Sequence, residues 1–424
     1  MTNPDTPRLV VDTTPVGDVS LLIPHTSESD PLVWLRKGTG IVGIGEALRL
    51  EFTGETRMTD AAAAWRRLAA SARVSDRVGV PGTGLVAFGA FAFSSLSTTT
   101  SVLIVPQTII GRRSGRHWVT HIRREGDELD AGRGGMTDAS EAAAAEATPI
   151  GEPFAVDFLE GQESSESYKL HVAEGVRRIR EGELEKVVLA RDLVGSVPAG
   201  SDVRRFATDL AQGYPDCWTY VVDGLIGSSP ETLVSVTQGG VTARVLAGTT
   251  ARGDGPEADE QASVALATSQ KDNDEHEFAV QSVVRSLETH TSHLAATEVP
   301  FTLKLPNLWH LATDIEGVLS DGASSLDLIA ALHPTAAVAG APTPDAVAMI
   351  DDLEPFDRGR YAGPVGWVGA DGDGEWAIAL RCAQLDGDTI TAYAGCGVVG
   401  ESVPENELME TRIKFRPVID ALEG

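Results

Sequence analysis

Residues 395–415, GCGVVGESVPENELMETRIKF, carry the reading on which the fold turns. Residues 405–422 read as a closing helix, and on it Glu407, Glu410 and Lys414 fall at i, i+3 and i+7, sharing one face. Such a face fits a solvated surface with a Glu410–Lys414 ion pair, worth roughly a few tenths of a kcal/mol. It also fits a metal site, although geometry alone favours the solvated face. The glycine-rich run Gly395–Gly400 follows an expected strand, where glycines admit an anion to backbone N–H groups or simply make a tight turn. Further upstream, Arg381 interrupts the apolar stretch AIALRCAQL. A buried guanidinium needs a partner, either a substrate carboxylate gripped bidentately or a structural one. Residues 376–385 and 389–394 are expected to form a hairpin around Asp386-Gly387-Asp388. A second acidic cluster, KDNDEHEF at 271–278, lies on a helix expected over 261–291. Two helices each offering a carboxylate can hold one Mg²⁺, which takes oxygen ligands, or each can present a solvated acidic face.

Composition narrows the partners. The 424 residues carry a net charge of −28, which disfavours nucleic acid and anionic membranes. An anionic substrate then requires a pocket that reverses this sign locally, through a metal ion or a few cations. Lysine is scarce, so Lys37, Lys169, Lys186, Lys271, Lys304 and Lys414 merit individual scrutiny; codon bias at surface positions accounts for about half of them. Three widely spaced cysteines, Cys217, Cys382 and Cys396, fit reduced thiols in the cytoplasm. The N-terminus MTNPDTPRLV has no secretory pattern, and no apolar run is long enough to span a bilayer.

Residues 1–124 read as an N-terminal region of mixed strands and helices, with a helix over 59–72 and buried strands over 85–93 and 101–110. Residues 125–160 form an acidic, Gly/Ala-rich loop or linker. Residues 161–424 carry the motifs. Within them, 164–182 is an amphipathic helix offering Leu170, Val172, Val176 and Ile179 to the core. Strands are expected at 186–193, 218–222, 232–236 and 241–246. The pattern implies an α+β fold with large antiparallel sheets and surrounding helices, without internal repeats.

Several segments in order along the chain carry a resemblance. They are KVVLAR (186–191), SPETLV (229–234), LAGTTARG (246–253), KDNDEHEF (271–278), HLATDIEG (310–317), LHPTAAVAGAP (332–342), RYAGPVGW (360–367), IALRCA (378–383) and the terminal GCGVV…PENELMETRIK. Together they make residues 165–424 resemble the chorismate-binding enzyme family, which contains isochorismate, salicylate, anthranilate and aminodeoxychorismate synthases. The N-terminal third matches loosely, through GAFAF (89–93) and IVPQTII (104–110). The resemblance implies an anthranilate synthase component I-like fold, with the N-terminal region intertwined with the rest. It implies Mg²⁺ held by Glu275 and Glu410, with Glu407 close by. Gly248 and Thr249 are implied as contacts of the ring carboxylate of chorismate, and His310, Ala337 and Val338 as pocket residues. Arg381, Gly395 and Lys414 are implied as the clamp on the enolpyruvyl carboxylate.

Three positions narrow the resemblance to isochorismate synthase. Lys186 matches the general base that activates water in isochorismate and salicylate synthases. Ala247 replaces the nucleophilic lysine of aminodeoxychorismate synthases. Ala337 stands where salicylate synthases tend to carry threonine, although Ala336 and Ala339 depart from the usual HPTPAVGG. The implied acid is Glu231. Both groups need shifted pKa values, the lysine lowered from about 10.4 and the glutamate raised from about 4.3, and desolvation acts in both directions required. Without the resemblance, Lys186 reads as a strand-edge residue and Glu231 as a turn residue. Salicylate synthase is the nearest alternative, and an anthranilate synthase component a more distant one. No amidotransferase subunit is expected, the chain is expected to be a monomer, and menaquinone and siderophore pathways both draw on such a product.

Overall fold

A computed structural model describes residues 7–126 and 147–423. Among them, two large sheets of thirteen and ten strands form the body of the molecule. In the larger sheet, Lys186–Ser196 is followed by Thr389–Val398, Cys382–Asp386, Leu225–Ser229, Trp218–Val222 and Leu32–Arg36. In the smaller, Leu308–Leu319 is followed by Gly240–Ala251, Thr232–Thr237, Gly374–Ile378, Pro364–Gly369 and Val86–Ala90. Strands preceding residue 125 enter both sheets. Val86–Ala90 and Pro364–Gly369 are buried at every position, which explains their unbroken apolar character. The sheets are also tied by polar contacts. Glu375 Oε2 in the smaller sheet accepts hydrogen bonds from Trp367 Nε1 at 3.0 Å and from Trp34 Nε1 of the larger sheet at 3.0 Å, and pairs with Arg113 at 2.7 Å.

Several expected elements are redrawn. Residues 101–110 form two strands, Ser101–Val105 and Thr108–Arg113, which belong to different sheets. Pro106 breaks the run because it cannot donate to a ladder. The helix expected over 261–291 is two helices, Pro256–Thr268 and Gln270–Glu288. Between them Ser269 is extended, and its side chain accepts from Asp272 N to cap the second helix. Residues 376–385 likewise divide into Gly374–Ile378 and Cys382–Asp386, one in each sheet. The hairpin turn at Asp386-Gly387-Asp388 does form, between Cys382–Asp386 and Thr389–Val398.

The helix Ser165–Arg180 buries Tyr168, Val172 and Val176, but leaves Leu170 70% exposed. At 100° per residue, Leu170 lies on the opposite face from Tyr168. Of the glycine-rich run, Gly395 through Val398 continue a strand paired with residues 187–190. Most of the acidic segment, residues 127–146, lies outside the described residues, whereas Leu159–Glu160 pairs as a short strand with Lys186–Ser196. The three cysteines are buried and unbridged. No described helix is long and apolar enough to cross a membrane.

Candidate active site

The site opens where the chain passes between the two sheets. Pro230 and Glu231 join Leu225–Ser229 of the larger sheet to Thr232–Thr237 of the smaller, and residues 379–381 make the reverse passage. The two crossings bond to each other. Ser229 Oγ donates to Ile378 O at 2.6 Å, Ser228 N to Arg381 O at 3.1 Å and Ile378 N to Glu231 O at 3.3 Å. Arg381 takes up φ +50° there, an unusual backbone conformation for a side chain of its size. Glu231 and Arg381 are thereby turned out of ordinary strand alternation and into one cavity.

That cavity, of about 560 Å³, is lined by Glu231, Gly248, Thr249, Glu275, His310, Ala337, Val338, Arg381, Gly395 and Lys414 among others. A larger cleft of about 720 Å³, walled by Leu22, Leu35 and Ile150 with Arg36 and Arg112, has no carboxylate or histidine in its lining. It offers no acid–base pair, so the smaller cavity is the better candidate.

Gly248 sits at a register shift in the ladder between Gly240–Ala251 and Leu308–Leu319, with φ +76°. A Cβ there would come within 3.0 Å of Asp272 Cβ, so glycine answers both a backbone and a packing demand. His276 anchors the neighbouring helix to this bulge. Its Nδ1 lies 3.2 Å from Ala247 O and its Nε2 2.8 Å from Thr313 Oγ1. Burial lowers the His276 pKa to about 4, so the ring is neutral.

The protonation of His310 follows from its partners. Arg381 Nη2 can only donate, so His310 Nε2 accepts from it at 3.2 Å. The ring proton therefore sits on Nδ1, 3.3 Å from Gly248 O and 3.0 Å from Thr249 Oγ1. Burial, reinforced by Arg381 and Lys414, holds this histidine well below its ordinary pKa. Arg381 thus spends one N–H on His310 while it lines the cavity. Lys414 Nζ donates to Gly395 O at 2.9 Å and pairs with Glu410 Oε1 at 2.5 Å. The i,i+4 ion pair expected from the sequence is present, on a partly buried face.

Burial raises the Glu231 carboxyl to about 8, despite a Leu246 backbone hydrogen bond and the opposing charges of Lys186, Arg381 and Lys414. It is therefore protonated at neutral pH. Lys186 is fully buried, and its Nζ lies 3.0 Å from Glu275 Oε1. This is ion-pair distance. Lys186 itself is absent from the cavity lining, and Glu275 stands in its place. Burial opposes ionisation of Glu275, but Lys186, Lys414 and Lys271 outweigh it and hold the carboxyl below its ordinary pKa.

Of the scarce lysines, Lys186, Lys271 and Lys414 converge on the site carboxylates Glu275, Glu407 and Glu410. Lys37, Lys169 and Lys304 pair elsewhere with Asp216, Glu166 and Asp259. Half the set belongs to the site.

The acidic face of helix Pro404–Asp420 suits a hard cation. Ligating atoms of Glu407, Glu410 and Cys396 lie within 4.8 Å of one another, whereas Glu275 stands outside this group, beside Lys186. Burial and the charge of Glu410 raise the Glu407 carboxyl, and burial with Glu275 raises Asp272. This crowding of like charge is what a divalent ion relieves. Burial keeps the Cys396 thiol protonated, and its Sγ lies 3.2 Å from Glu407 O, which leaves the carboxylate oxygens as donors. An all-oxygen set fits Mg²⁺.

Comparison with known proteins gives the family. The family model described as chorismate binding enzyme matches residues 22–423. The chain belongs to that family. The isochorismate synthase DhbC of Bacillus subtilis (strain 168) is 39% identical over 269 residues, 61% of this chain and 68% of the relative. The crystal structure of DhbC from Bacillus anthracis has a TM-score of 0.75 at 30% identity, covering 93% of this chain and 97% of its own. MenF, the menaquinone-specific isochorismate synthase from Escherichia coli, shares the fold with a TM-score of 0.75 at 24% identity, covering 98% and 95%.

Within this chorismate binding enzyme, some pocket residues escaped sequence reasoning. Tyr361 of RYAGPVGW lines the cavity, as do Val188, Pro230 and Gly397. Gly397 makes room for the ion pair, since a Cβ there would lie 2.4 Å from Glu275 Oε1 and 2.9 Å from Lys186 Cε. Its signal was the G-x-G spacing, which in a strand puts both glycines on one face.

Proposed function

We propose that this chain is an isochorismate synthase that needs Mg²⁺, with Lys186 as general base and Glu231 as general acid. The observation that carries this reading is a carboxyl raised to about 8 in a cavity backed by a buried lysine. A protonated acid is what departure of a hydroxyl requires at neutral pH. The names of the relatives support the same reaction.

In this mechanism Lys186 first passes its ammonium proton to solvent and then accepts one from the water that adds at C2 of chorismate. The ring double bonds shift, the C4–oxygen bond breaks, and Glu231 protonates the departing hydroxyl, which leaves as water. Lys186 then ends protonated and Glu231 ionised, and one proton taken up from solvent by Glu231 resets the site. Arg381 and Lys414 would hold the enolpyruvyl carboxylate, giving a cationic pocket in a chain of net charge −28. Glu407 and Glu410, with Glu275, would hold Mg²⁺. When bound, the ion would neutralise the ring carboxylate and orient it.

Ala247 and Ala337 both line the cavity. Neither supplies a nucleophile or a hydroxyl, which supports a product that retains its enolpyruvyl group. Chromatography of a reaction of the protein with chorismate and Mg²⁺ tests this, without ammonia or a second subunit. Isochorismate alone is expected; salicylate with pyruvate would move the chain to the salicylate synthases, and no turnover would refute the reading. Chelation with EDTA is expected to abolish turnover. Glu410→Ala should raise the Mg²⁺ concentration for half-maximal rate by at least roughly tenfold. An unchanged metal titration would place the ion elsewhere.

A further inference from the structure

Behind the cavity lies a fully enclosed ion pair that the mechanism does not use. Arg358 and Glu354 meet through two contacts, Nη2–Oε1 at 2.6 Å and Nε–Oε2 at 2.8 Å, and both side chains are buried. The remaining donors of Arg358 reach the cavity wall from behind. Its Nη1 donates to Val338 O at 3.0 Å and its Nη2 to Val188 O at 2.7 Å. Glu354 Oε1 accepts from Ala190 N at 2.8 Å. The guanidinium also lies 5.9 Å from the ring of Tyr361 and 4.5 Å from that of Phe93. Val188, Val338 and Tyr361 all line the cavity, and Val188 is two residues from Lys186 on the same strand.

A buried ion pair is poor evidence of stability, because well-packed apolar residues of similar volume do as well or better. Its planar fork, however, can fix two carbonyls and a carboxylate at once, which a point-charge lysine cannot. We infer that Arg358 and Glu354 are positioning residues that register the wall Ala337–Val338 against the strand carrying Lys186, and so set the alignment of ring, water and base. This rests on the proposed isochorismate synthase reaction and deepens it.

The test is Arg358→Lys, with kcat and KM for chorismate measured per folded active site and hydrogen exchange followed in the peptide spanning residues 333–342. A misalignment on the scale of an ångström costs roughly a hundredfold in rate. A fall in kcat of at least about tenfold is therefore expected, with KM within about threefold and faster exchange at 336–339. A purely structural pair would lower the melting temperature and leave kcat, KM and exchange at this peptide as in the wild type; that result would overturn the inference. If Arg358→Lys does not fold, Glu354→Gln carries the same readouts, and failure of both to fold would also overturn it. Wild-type protein that makes no isochorismate refutes the proposed function instead, so the two failures are distinguishable.

Discussion

Lys186→Ala is expected to lower kcat for isochorismate formation by about a thousandfold or more, with chorismate binding in the presence of Mg²⁺ retained. General-base catalysis contributes about 10² to 10⁴ to rate, and no other described lysine lies as close to Glu275. Alanine also leaves the Glu275 carboxylate buried without its nearest cation, so folded protein must be quantified before rates are compared. Lys186→Arg separates charge from proton transfer. Arginine keeps the positive charge beside Glu275 but cannot lose its proton. If Arg restored near-normal turnover, Lys186 would be an electrostatic partner and the base would lie elsewhere.

Glu231→Gln is expected to lower kcat by about a hundredfold or more, because the amide fills the same space but cannot protonate a leaving hydroxyl. The wild-type pH profile gives an independent reading of the same group. Glu231 is protonated below its folded pKa of about 8 and ionised above it. The rate should therefore decline as pH rises through about 8. The sign for stability is the same. The folded state binds a proton more tightly than the unfolded chain, so this group's stabilising contribution is complete below the ordinary carboxyl pKa and is lost as pH rises towards 8. Glu231→Gln should accordingly flatten the fall in unfolding free energy over that window, measured by urea unfolding at several pH values. A slope unchanged by the substitution would mean that Glu231 is ionised in the folded protein.

Much of the site was legible only through the resemblance that its short motifs carry, because the helical spacing of Glu407, Glu410 and Lys414 by itself favours a solvated face. PENELMETRIKF gave the helix that brings Glu407, Glu410 and Lys414 together, and KDNDEHEF gave the facing helix with Lys271 and Glu275. What periodicity could not show is where the chain changes sheets. Residues 376–385 read as one apolar strand, although Arg381 is at a crossing between two, and residues 101–110 hide another behind Pro106. An alternating pattern specifies that a strand is buried and does not name the sheet that receives it. The same blindness applied to 261–291, where a single capping serine divides a continuous helical pattern. Pairings far apart in sequence were also hidden. Lys186 and Glu275 meet because Gly397 leaves room between two strands and a helix. Arg358 reaches Val188 across 170 residues.

The most direct test of the central claim is the origin of the new hydroxyl. The reaction should be run with chorismate and Mg²⁺ in water enriched in the heavy oxygen isotope, and the isochorismate analysed by mass spectrometry. Addition of water at C2 with loss of the C4 hydroxyl predicts one heavy oxygen in the product, located on the ring at C2. Unlabelled isochorismate would mean that the C4 oxygen is carried over within the molecule, and would contradict the roles assigned to Lys186 and Glu231.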